Sequence, residues 1–598
     1  MVAVKKVKAV NFESLPDDII SKIIKRLAQQ SKFQLLQTNY KLYTLVLPLL
    51  YQNLLFKSDC NGFLADDYDC CKYTIVSGSS NILADKRLND LIFKTRQDIL
   101  LQSLKVNEEI LPYVEKVVIF NYENVNVELA NLLQAKSINL QTYLNFNNNF
   151  NLSFPNSFHS LTTCMINHCY ELSKLPLSVK NLTINFQDSF KDEIKVVTDL
   201  AVDKDYCLKI LFGLDSLYLS FDELSTLNFL KFIIEFLKPP NGKLFQFKSL
   251  KFIYYHGFND YNLHLRNLMS DFLFKYVDLS ILKSLEITMG CDYDLNCSCL
   301  TEFVDELSGL TNLKEKNSNF STNLKILSFI EKTLHKDHSF IEKFDINLGR
   351  FIYNLDPKIS SNLETLIIHH NPPTDGNIEN NVEGNFLRRK KLYSKFLPIL
   401  QNLKTLISPS FMNSCSCYEV ITSELLWNGC RCEFCEVHLS IFDTFIMNHC
   451  YYDEATGLMK DVISPRFFSI AANYLNQRLL NYDNLEQNCS NLQCLSYPFF
   501  SKSWDFHNTG SKKTTKFEHH YEYDEDFVCK FNQSAFEALV KVMSHFMEAY
   551  VDNCVDLLPK LKTCILGGVF YKINSERKII NVFDDVGCEK NIIGPHDI

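Results

Sequence analysis

Glycine is scarce in this chain, at 17 of 598 residues, whereas proteins contain about 7% on average. This scarcity excludes a collagen-like sequence and weakens any phosphate site that needs a glycine-rich loop. The longest apolar run covers only about ten residues, Leu42 to Tyr51, and includes Pro48, whereas a membrane-spanning helix needs about 20. We therefore expect no transmembrane helix and no membrane partner.

The sequence also lacks the short motifs that mark common active sites. It contains no Walker A loop, no dinucleotide-binding glycine motif, no nucleophile elbow and no zinc-protease motif. The pairs His369-His370 and His519-His520 are more typical of turns or surface than of a catalytic centre. An enzyme on an α/β scaffold therefore has no motif to support it, and we expect a non-catalytic protein without catalytic residues.

Positive charge is not in excess: 61 Lys and Arg against 70 Asp and Glu give a formal net charge of −9. Because attraction to nucleic acid is mainly electrostatic, nucleic acid is not an expected partner. The basic start, MVAVKKVKAVNF, does not lead into the apolar core of a secretory signal. We therefore expect the protein in the cytoplasm, the nucleus or both, with its 21 cysteines reduced rather than paired as disulfides.

Residues 12–57 predict three short helices. Pro16 suits a first helical position, and the acids Asp17 and Asp18 suit the positive end of the helix dipole. Apolar residues then recur at helical spacing from Ile19 to Leu27, and two further apolar segments follow. Three helices of this length do not easily enclose a core, so they are expected to pack on a partner or on the following domain.

This segment resembles the F-box of fungal F-box proteins, through Leu15-Pro16, the isoleucine face, Leu35-Leu36 and the run from Asn39 to Tyr51. The resemblance implies binding to Skp1, the adaptor that links F-box proteins to a cullin ubiquitin ligase. The Skp1-binding residues that it implies are Leu15, Pro16, Ile19, Ile23, Ile24, Leu27, Leu35, Leu36, Tyr43, Leu47, Pro48 and Leu50.

A second pattern, Leu-x-x-Leu-x-Leu with apolar substitutes, recurs along the rest of the chain and resembles the strand of a leucine-rich repeat. Such a strand points alternate residues inward, and its core closes only by stacking on neighbouring repeats. The spacing is irregular, since regular repeats have about 20–29 residues, and the alternative is a set of unrelated strands in an α/β fold. The copies begin at Val114, Leu161, Val179, Leu214, Leu250, Leu282, Leu324, Leu363 and Leu403, with weaker ones at Leu492 and Leu561.

These patterns predict an α/β fold in which a short N-terminal three-helix F-box precedes an irregular leucine-rich-repeat solenoid. The expected segments are a tail at 1–11, the F-box at 12–57, a connecting helical segment at 58–110 and the repeat domain at 111–598. The repeat domain includes a Cys-rich loop at 415–435 and a polar insertion near 501–524.

The Cys-rich loop contains two groups of closely spaced cysteines, and this spacing is typical of a structural zinc site. Four of its five thiolates are expected to bind one zinc ion, with His438 as a substitute ligand; no other cofactor is required. The alternative is a loop of reduced cysteines. The candidate ligands are Cys415, Cys417, Cys430, Cys432 and Cys435.

A second, poorer group consists of Cys291, Cys297 and Cys299. It would complete a metal site only if loops of neighbouring repeats meet.

The F-box resemblance and the repeats together predict a substrate-recognition adaptor of an SCF-type (Skp1–cullin–F-box) ubiquitin ligase. The F-box would dock Skp1, and through it a cullin, while the repeats would bind an unknown protein target. Such an adaptor acts through proximity and performs no bond chemistry itself. The alternative is a non-proteolytic F-box protein that serves as a Skp1-containing assembly subunit, for example at a kinetochore.

Overall fold

The computed structural model of the chain describes residues 15–57, 73–78, 86–119, 125–146, 152–186, 202–219, 223–308, 323–332, 338–369, 394–408, 433–437, 450–453, 458–461, 545, 548 and 551–581, except 26, 28, 153, 156–158, 241, 258–259, 356, 434 and 567–568. The chain divides into two compact units, Met1–Leu214 and Asp215–Ile598. It is an α/β protein whose strands are mostly parallel.

The first unit begins with the three short helices that the spacing predicts. They are α1 (Asp17–Lys25), α2 (Gln29–Leu36) and α3 (Tyr40–Gln52). Asn39 caps α3, because its side-chain oxygen accepts a hydrogen bond of 2.8 Å from the backbone N–H of Leu42.

Strand β1 (Asn53–Lys57) follows α3 without a connecting loop. It lies between β2 and β3 in a parallel sheet of the order β6-β5-β4-β3-β1-β2. The last five residues of the segment expected as the F-box are thus a strand of this sheet. The other strands are β2 (Thr74–Ser77), β3 (Lys116–Ile119), β4 (Thr142–Asn145), β5 (Thr163–Ile166) and β6 (Asn181–Ile184).

Among the described residues of the first unit, helical segments follow β2, β3, β5 and β6. The α-helices are α4 (Lys86–Val106), α5 (Val127–Lys136) and α6 (Lys204–Phe212), and 3-10 turns cover Glu108–Tyr113 and Cys169–Lys174.

The register of this sheet aligns the apolar pattern from strand to strand. Tyr143 lies beside Val117 on one side and Cys164 on the other, and Cys164 lies beside Leu182. All four side chains are buried. Strand β4 carries a further copy of the apolar pattern, beginning at Leu140, that the sequence analysis missed because the polar Asn145 stands where the third apolar residue is expected.

Buried asparagines lie at or directly after the carboxyl ends of three neighbouring strands. The Asn167 side chain donates a hydrogen bond of 2.9 Å to the carbonyl oxygen of Asn145, and the Asn185 side chain donates one of 3.0 Å to Asn167 Oδ1. These side-chain bonds join the carboxyl ends of β4, β5 and β6 in addition to the backbone hydrogen bonds between the strands.

The second unit contains a sheet of the order β17-β16-β15-β12-β11-β10-β9-β8-β7, in which, among the described strands, the β15–β16 and β16–β17 pairs are antiparallel and the other pairs are parallel. A separate antiparallel hairpin joins β13 and β14. The strands are β7 (Ser216–Leu219), β8 (Ser249–His256), β9 (Ser284–Cys291), β10 (Ile326–Glu331), β11 (Thr365–His369), β12 (Thr405–Ser408), β13 (Cys450–Asp453), β14 (Leu458–Asp461), β15 (Thr563–Leu566), β16 (Val569–Ile573) and β17 (Ile579–Asn581).

Helices again lie between the parallel strands of this unit. Among the described helices of the chain, none combines the length and apolar character needed to span a membrane. The helices are α7 (Glu223–Lys231) with a π-helical extension Phe232–Leu237, α8 (Asp260–Tyr276), α9 (Cys299–Leu307), α10 (His338–Asn354) and α11 (Pro357–Ser360), and 3-10 turns cover Leu279–Ile281 and Leu397–Ile399.

The predicted inward pattern is confirmed in strands β9 and β11. Both triplets expected to point inward are fully buried, and their strands are parallel members of one sheet. Of the three charged residues expected to face solvent, one is exposed and two are half-buried. The buried triplets are Leu282, Leu285 and Ile287, and Leu363, Leu366 and Ile368; the charged residues are Lys283, Glu286 and Glu364.

One predicted copy is out of register. The sequence pattern placed the repeat at Leu250, Ile253 and Tyr255, but Leu250 lies directly beside Leu285, and Phe252 lies beside Ile287. The copy therefore begins three residues earlier, at the buried Phe247. The prediction was wrong because β8 is apolar at so many consecutive positions that two registers satisfy the pattern, and only pairing with β9 distinguishes them. The copy at Leu492 lies outside the described residues.

Candidate functional site

The three N-terminal helices share a small apolar core. Ile20 and Ile24 lie one turn apart on α1, and Leu42, Val46 and Leu50 follow the same spacing on α3. All five are at most 8% exposed. The half-buried residues that pack against this core are Leu15, Leu35, Leu36, Leu45, Leu49 and Tyr51.

Other apolar side chains of the same helices face outward. Ile19 and Ile23 of α1 are each 37% exposed, Tyr43 is 39% exposed, Phe33 is 55% exposed and Tyr40 is 81% exposed. Exposed aromatic and branched side chains grouped on one small module are typical of a protein-binding surface. We call these five residues the exposed helical face.

Two contacts of Lys41 hold the first turns of α1 and α3 side by side. Its ammonium lies 2.9 Å from the Asp17 carboxylate and donates a hydrogen bond of 3.4 Å to the carbonyl oxygen of Leu15. The rings of Tyr40 and Tyr43, in the first turn of α3, are stacked with centroids 6.4 Å apart. The Lys41–Asp17 ion pair contributes at most about 1 kcal/mol to stability, because both side chains are exposed to solvent. Its main effect is to fix the positions of the two helix ends.

Side-chain hydrogen bonds also connect the helices to the sheet of the first unit. The Gln29 side-chain oxygen of α2 accepts a hydrogen bond of 3.0 Å from the backbone N–H of Ile75 in β2. Gln52, at the end of α3, bonds both the backbone and the side chain of Glu115. Helix α3 also runs directly into β1. The helices are therefore anchored to this sheet at several points.

The structure separates the predicted Skp1-binding residues into three groups. Ile24 and Leu50 are buried in the core of the module itself, so their surfaces are not available to a partner in this structure. The predicted Skp1-binding set did not include Phe33 and Tyr40, although both lie in the apolar segments of the predicted F-box. Of the other predicted Skp1-binding residues, four are exposed: Pro16, Ile19, Ile23 and Tyr43. The remaining six are half-buried: Leu15, Leu27, Leu35, Leu36, Leu47 and Pro48.

Most of the Cys-rich loop lies outside the described residues, including Cys415, Cys417, Cys430 and Cys432, and so does the substitute ligand His438. Cys435 is described and fully buried, and its Sγ lies 3.2 Å from the Nδ1 atom of His545. The predicted polar insertion at 501–524 also lies outside the described residues.

No family model matches the chain. The chain is 34% identical over 346 residues to a Saccharomyces cerevisiae protein named non-SCF-type F-box protein ROY1. The match covers 58% of this chain and 58% of that relative. This similarity supports the assignment of the chain as a fungal F-box protein, in agreement with the resemblance of residues 12–57.

Proposed function

We propose that the chain is a non-catalytic F-box protein that binds a Skp1-like adaptor and serves as an assembly subunit without recruiting a cullin. The observation that carries the proposal is the exposed helical face, which lies on the segment that resembles an F-box. The similar yeast protein is named non-SCF-type, and this name favours the assembly role over that of a ubiquitin-ligase adaptor.

The face has the residue types that such an interface needs. Covering a half-exposed isoleucine or tyrosine removes apolar area from water at about 25 cal/mol per Å². Tyrosine in particular is enriched among the residues that dominate binding energy. Because Ile20 and Ile24 form the α1 side of the apolar core of the module, the exposed side chains of Ile19 and Ile23 are available to contact a partner.

The SCF-type adaptor is the second candidate, since the F-box resemblance implies it. Both candidates use the same Skp1 contact and differ in whether a cullin joins the complex. In either case the protein acts by holding other proteins together.

We further propose that the strands belong to an irregular leucine-rich-repeat solenoid that binds an unknown protein target. Two observations support it. Equivalent apolar positions align from strand to strand, for example Leu285, Leu327 and Leu366. In addition, Cys169 is buried at the position where the leucine-rich-repeat pattern carries asparagine or cysteine, three residues after Ile166.

Zinc binding by the Cys-rich loop remains a proposal that rests on cysteine spacing. Replacing Cys430 and Cys432 with serine should release the zinc ion held by this loop, in protein purified without chelator, while Skp1 binding persists. A cytoplasmic or nuclear location is proposed as well and is tested by imaging the tagged protein.

Affinity purification of the tagged full chain tests the function. We expect a Skp1-like protein to co-purify in a near-equal amount, without cullin. The double variant Ile19→Asp/Ile23→Asp should lose Skp1, because two carboxylates would be buried in an apolar contact. The control Lys22→Ala/Lys25→Ala changes exposed residues of the same helix and should retain Skp1. Cullin in amounts equal to Skp1 would establish the SCF-type role instead, and full Skp1 binding by the aspartate variant would exclude this docking face.

A further inference from the structure

Four metal-ligand side chains converge at one edge of the sheet in the second unit. They are His256, Cys291, Cys297 and Cys299, and their nitrogen and sulfur atoms all lie within 4.8 Å of one another. His256, Cys291 and Cys299 are buried, and Cys297 is half-buried. The sequence showed only the three cysteines, and the histidine is 35 residues before the first of them.

The fold brings these residues together in a simple way. His256 and Cys291 are the last residues of β8 and β9 and are direct neighbours in the parallel register. The chain then turns back, with the backbone N–H of Cys297 donating a hydrogen bond of 3.1 Å to the carbonyl oxygen of Asp294. Cys299 follows as the first residue of α9. The neighbouring strand thus supplies the ligand that the cysteine group lacks.

We propose that these four side chains form a structural zinc site of the Cys₃His type. A tetrahedral site with zinc–ligand distances of about 2.0–2.3 Å has ligand atoms about 3.5–3.8 Å apart. The Nδ1 atom of His256 lies 3.4 Å from Cys297 Sγ and 4.0 Å from Cys291 Sγ. Small side-chain movements therefore suffice to complete the tetrahedron, with Nδ1 as the histidine ligand atom.

The surroundings suit a negatively charged site. Three thiolates and a neutral imidazole around Zn²⁺ carry a net charge of −1. The ammonium of Lys343 in α10 donates a hydrogen bond of 3.2 Å to Cys291 Sγ and another of 2.9 Å to the carbonyl oxygen of Asp294. It can balance this charge and support the turn, as outer-shell groups of metal sites do.

An aromatic ring fixes the histidine. The Tyr293 ring stacks on the imidazole of His256, with centroids 4.6 Å apart and planes 14° from parallel. The stacking restrains the plane of the imidazole, and in this plane Nδ1 lies toward Cys297 and Cys291. A ligand held in place before metal binding loses less conformational entropy on coordination.

The role of the metal would be structural. Four protein ligands fill a tetrahedral shell, so no position is left for a catalytic water. Zinc would join the ends of β8 and β9 to the connecting turn and the start of α9. This site is independent of the Cys-rich loop and of the F-box proposal, because it shares no residue with either.

Elemental analysis of the full chain purified without chelator tests the site. The variant Cys415→Ser/Cys417→Ser/Cys430→Ser/Cys432→Ser serves as background, because Cys435 and His438 are then the two candidate ligands left in and beside the loop proposed above and do not complete a four-ligand zinc shell. We expect this background to retain about one zinc ion per chain and to lose it when Cys297→Ser/Cys299→Ser is added. As a matched control, Cys207→Ser removes a buried cysteine of the first unit and should leave the zinc content unchanged. A background without zinc, or zinc that survives the added substitutions, would overturn the proposal.

Thiol labelling of the unaltered chain covers the case in which these variants fail to fold. In zinc-loaded protein, Cys291, Cys297 and Cys299 should all resist alkylation. Chelation should release zinc and make Cys297, the half-buried ligand, the first to react. Rapid alkylation of Cys297 despite bound zinc, or a native disulfide among the three cysteines, would contradict the site.

Discussion

Gln52 and Glu115 form two hydrogen bonds with each other. The Gln52 side-chain amide donates one of 2.9 Å to the Glu115 carboxylate, and the Glu115 backbone N–H donates one of 2.8 Å to the Gln52 carbonyl oxygen. Gln52 is the last residue of α3, and Glu115 directly precedes β3. The pair therefore connects the end of the N-terminal helices to the strand next to β1. A partner bound to these helices would be held in a defined position relative to the first sheet.

The first prediction concerns this connection. Glu115→Ala removes the side-chain hydrogen bond but leaves the backbone hydrogen bond, and a hydrogen bond to a charged group contributes about 1.5–3 kcal/mol. We expect faster hydrogen exchange at the α3–β1 junction, with little change in the second unit. In a double-mutant cycle, Gln52→Ala should add little to the effect of Glu115→Ala. Fully additive effects would show that the two side chains act independently.

A second prediction uses two adjacent isoleucines of α1 that differ in burial. Ile24 is fully buried, whereas Ile23 is 37% exposed. Ile24→Ala should cost about 2–5 kcal/mol of local stability, because it leaves a cavity in the module core. Ile23→Ala should cost much less but weaken Skp1 binding. Hydrogen exchange of α1 and a Skp1 binding assay separate the two effects, and equal loss of protection in both variants would contradict the assigned burial.

The third prediction concerns acid stability of the second unit. Hydrogen bonds from Lys404 and then Lys325 lower the pKa of Glu364 to about 2, with nitrogen–oxygen distances of 2.8 and 2.9 Å. A depressed carboxylate pKa stabilises the folded state above the unfolded pKa of about 4.3. This contribution is lost as the pH falls from about 4.3 through 2.

Glu364→Gln should therefore destabilise the protein at pH 6 and have a smaller effect near pH 2.5. Urea unfolding at both values measures the difference. The control Glu576→Gln removes a largely exposed carboxylate with one nearby lysine partner, Lys578. Identical pH dependence in wild type and Glu364→Gln would show that the three-residue contact does not stabilise the fold.

The fourth prediction concerns Gly290 in β9. A Cβ atom at this position would lie 1.6 Å from the carbonyl oxygen of Lys332, so the strand or the backbone after β10 would have to move. Gly290→Ala should destabilise the second unit by at least the 1–3 kcal/mol typical of overpacking. A Cβ at Gly213 lies 3.3 Å from its nearest neighbours, and Gly213→Ala should be tolerated better. Comparable thermal midpoints for the two variants would contradict this close approach.

Periodicity in the sequence was sufficient to predict the main elements. Ile20 and Ile24 repeat at one helical turn, and Leu282, Leu285 and Ile287 alternate as strand residues do. Both signals are local, because they depend only on backbone geometry over a few residues. The three N-terminal helices and most of the strands that carry the apolar pattern could therefore be predicted before any tertiary contact was known.

Only the tertiary structure decided which of two equivalent patterns is used. The pairs Ile19/Ile23 and Ile20/Ile24 have identical spacing, and packing against α3 buries the second pair. Likewise Leu250 and Phe247 both fit the repeat pattern, and the hydrogen-bonded register with β9 selects the copy that begins at Phe247. The sequence alone left these choices open because each depends on a partner far away along the chain.

The metal-ligand group shows the same division. The sequence determined the short spacing of Cys291, Cys297 and Cys299, because neighbouring residues stay close in any compact fold. It did not determine that His256 joins them from 35 residues earlier. That proximity comes from parallel pairing of β8 and β9, which places the ends of the two strands at the same edge of the sheet.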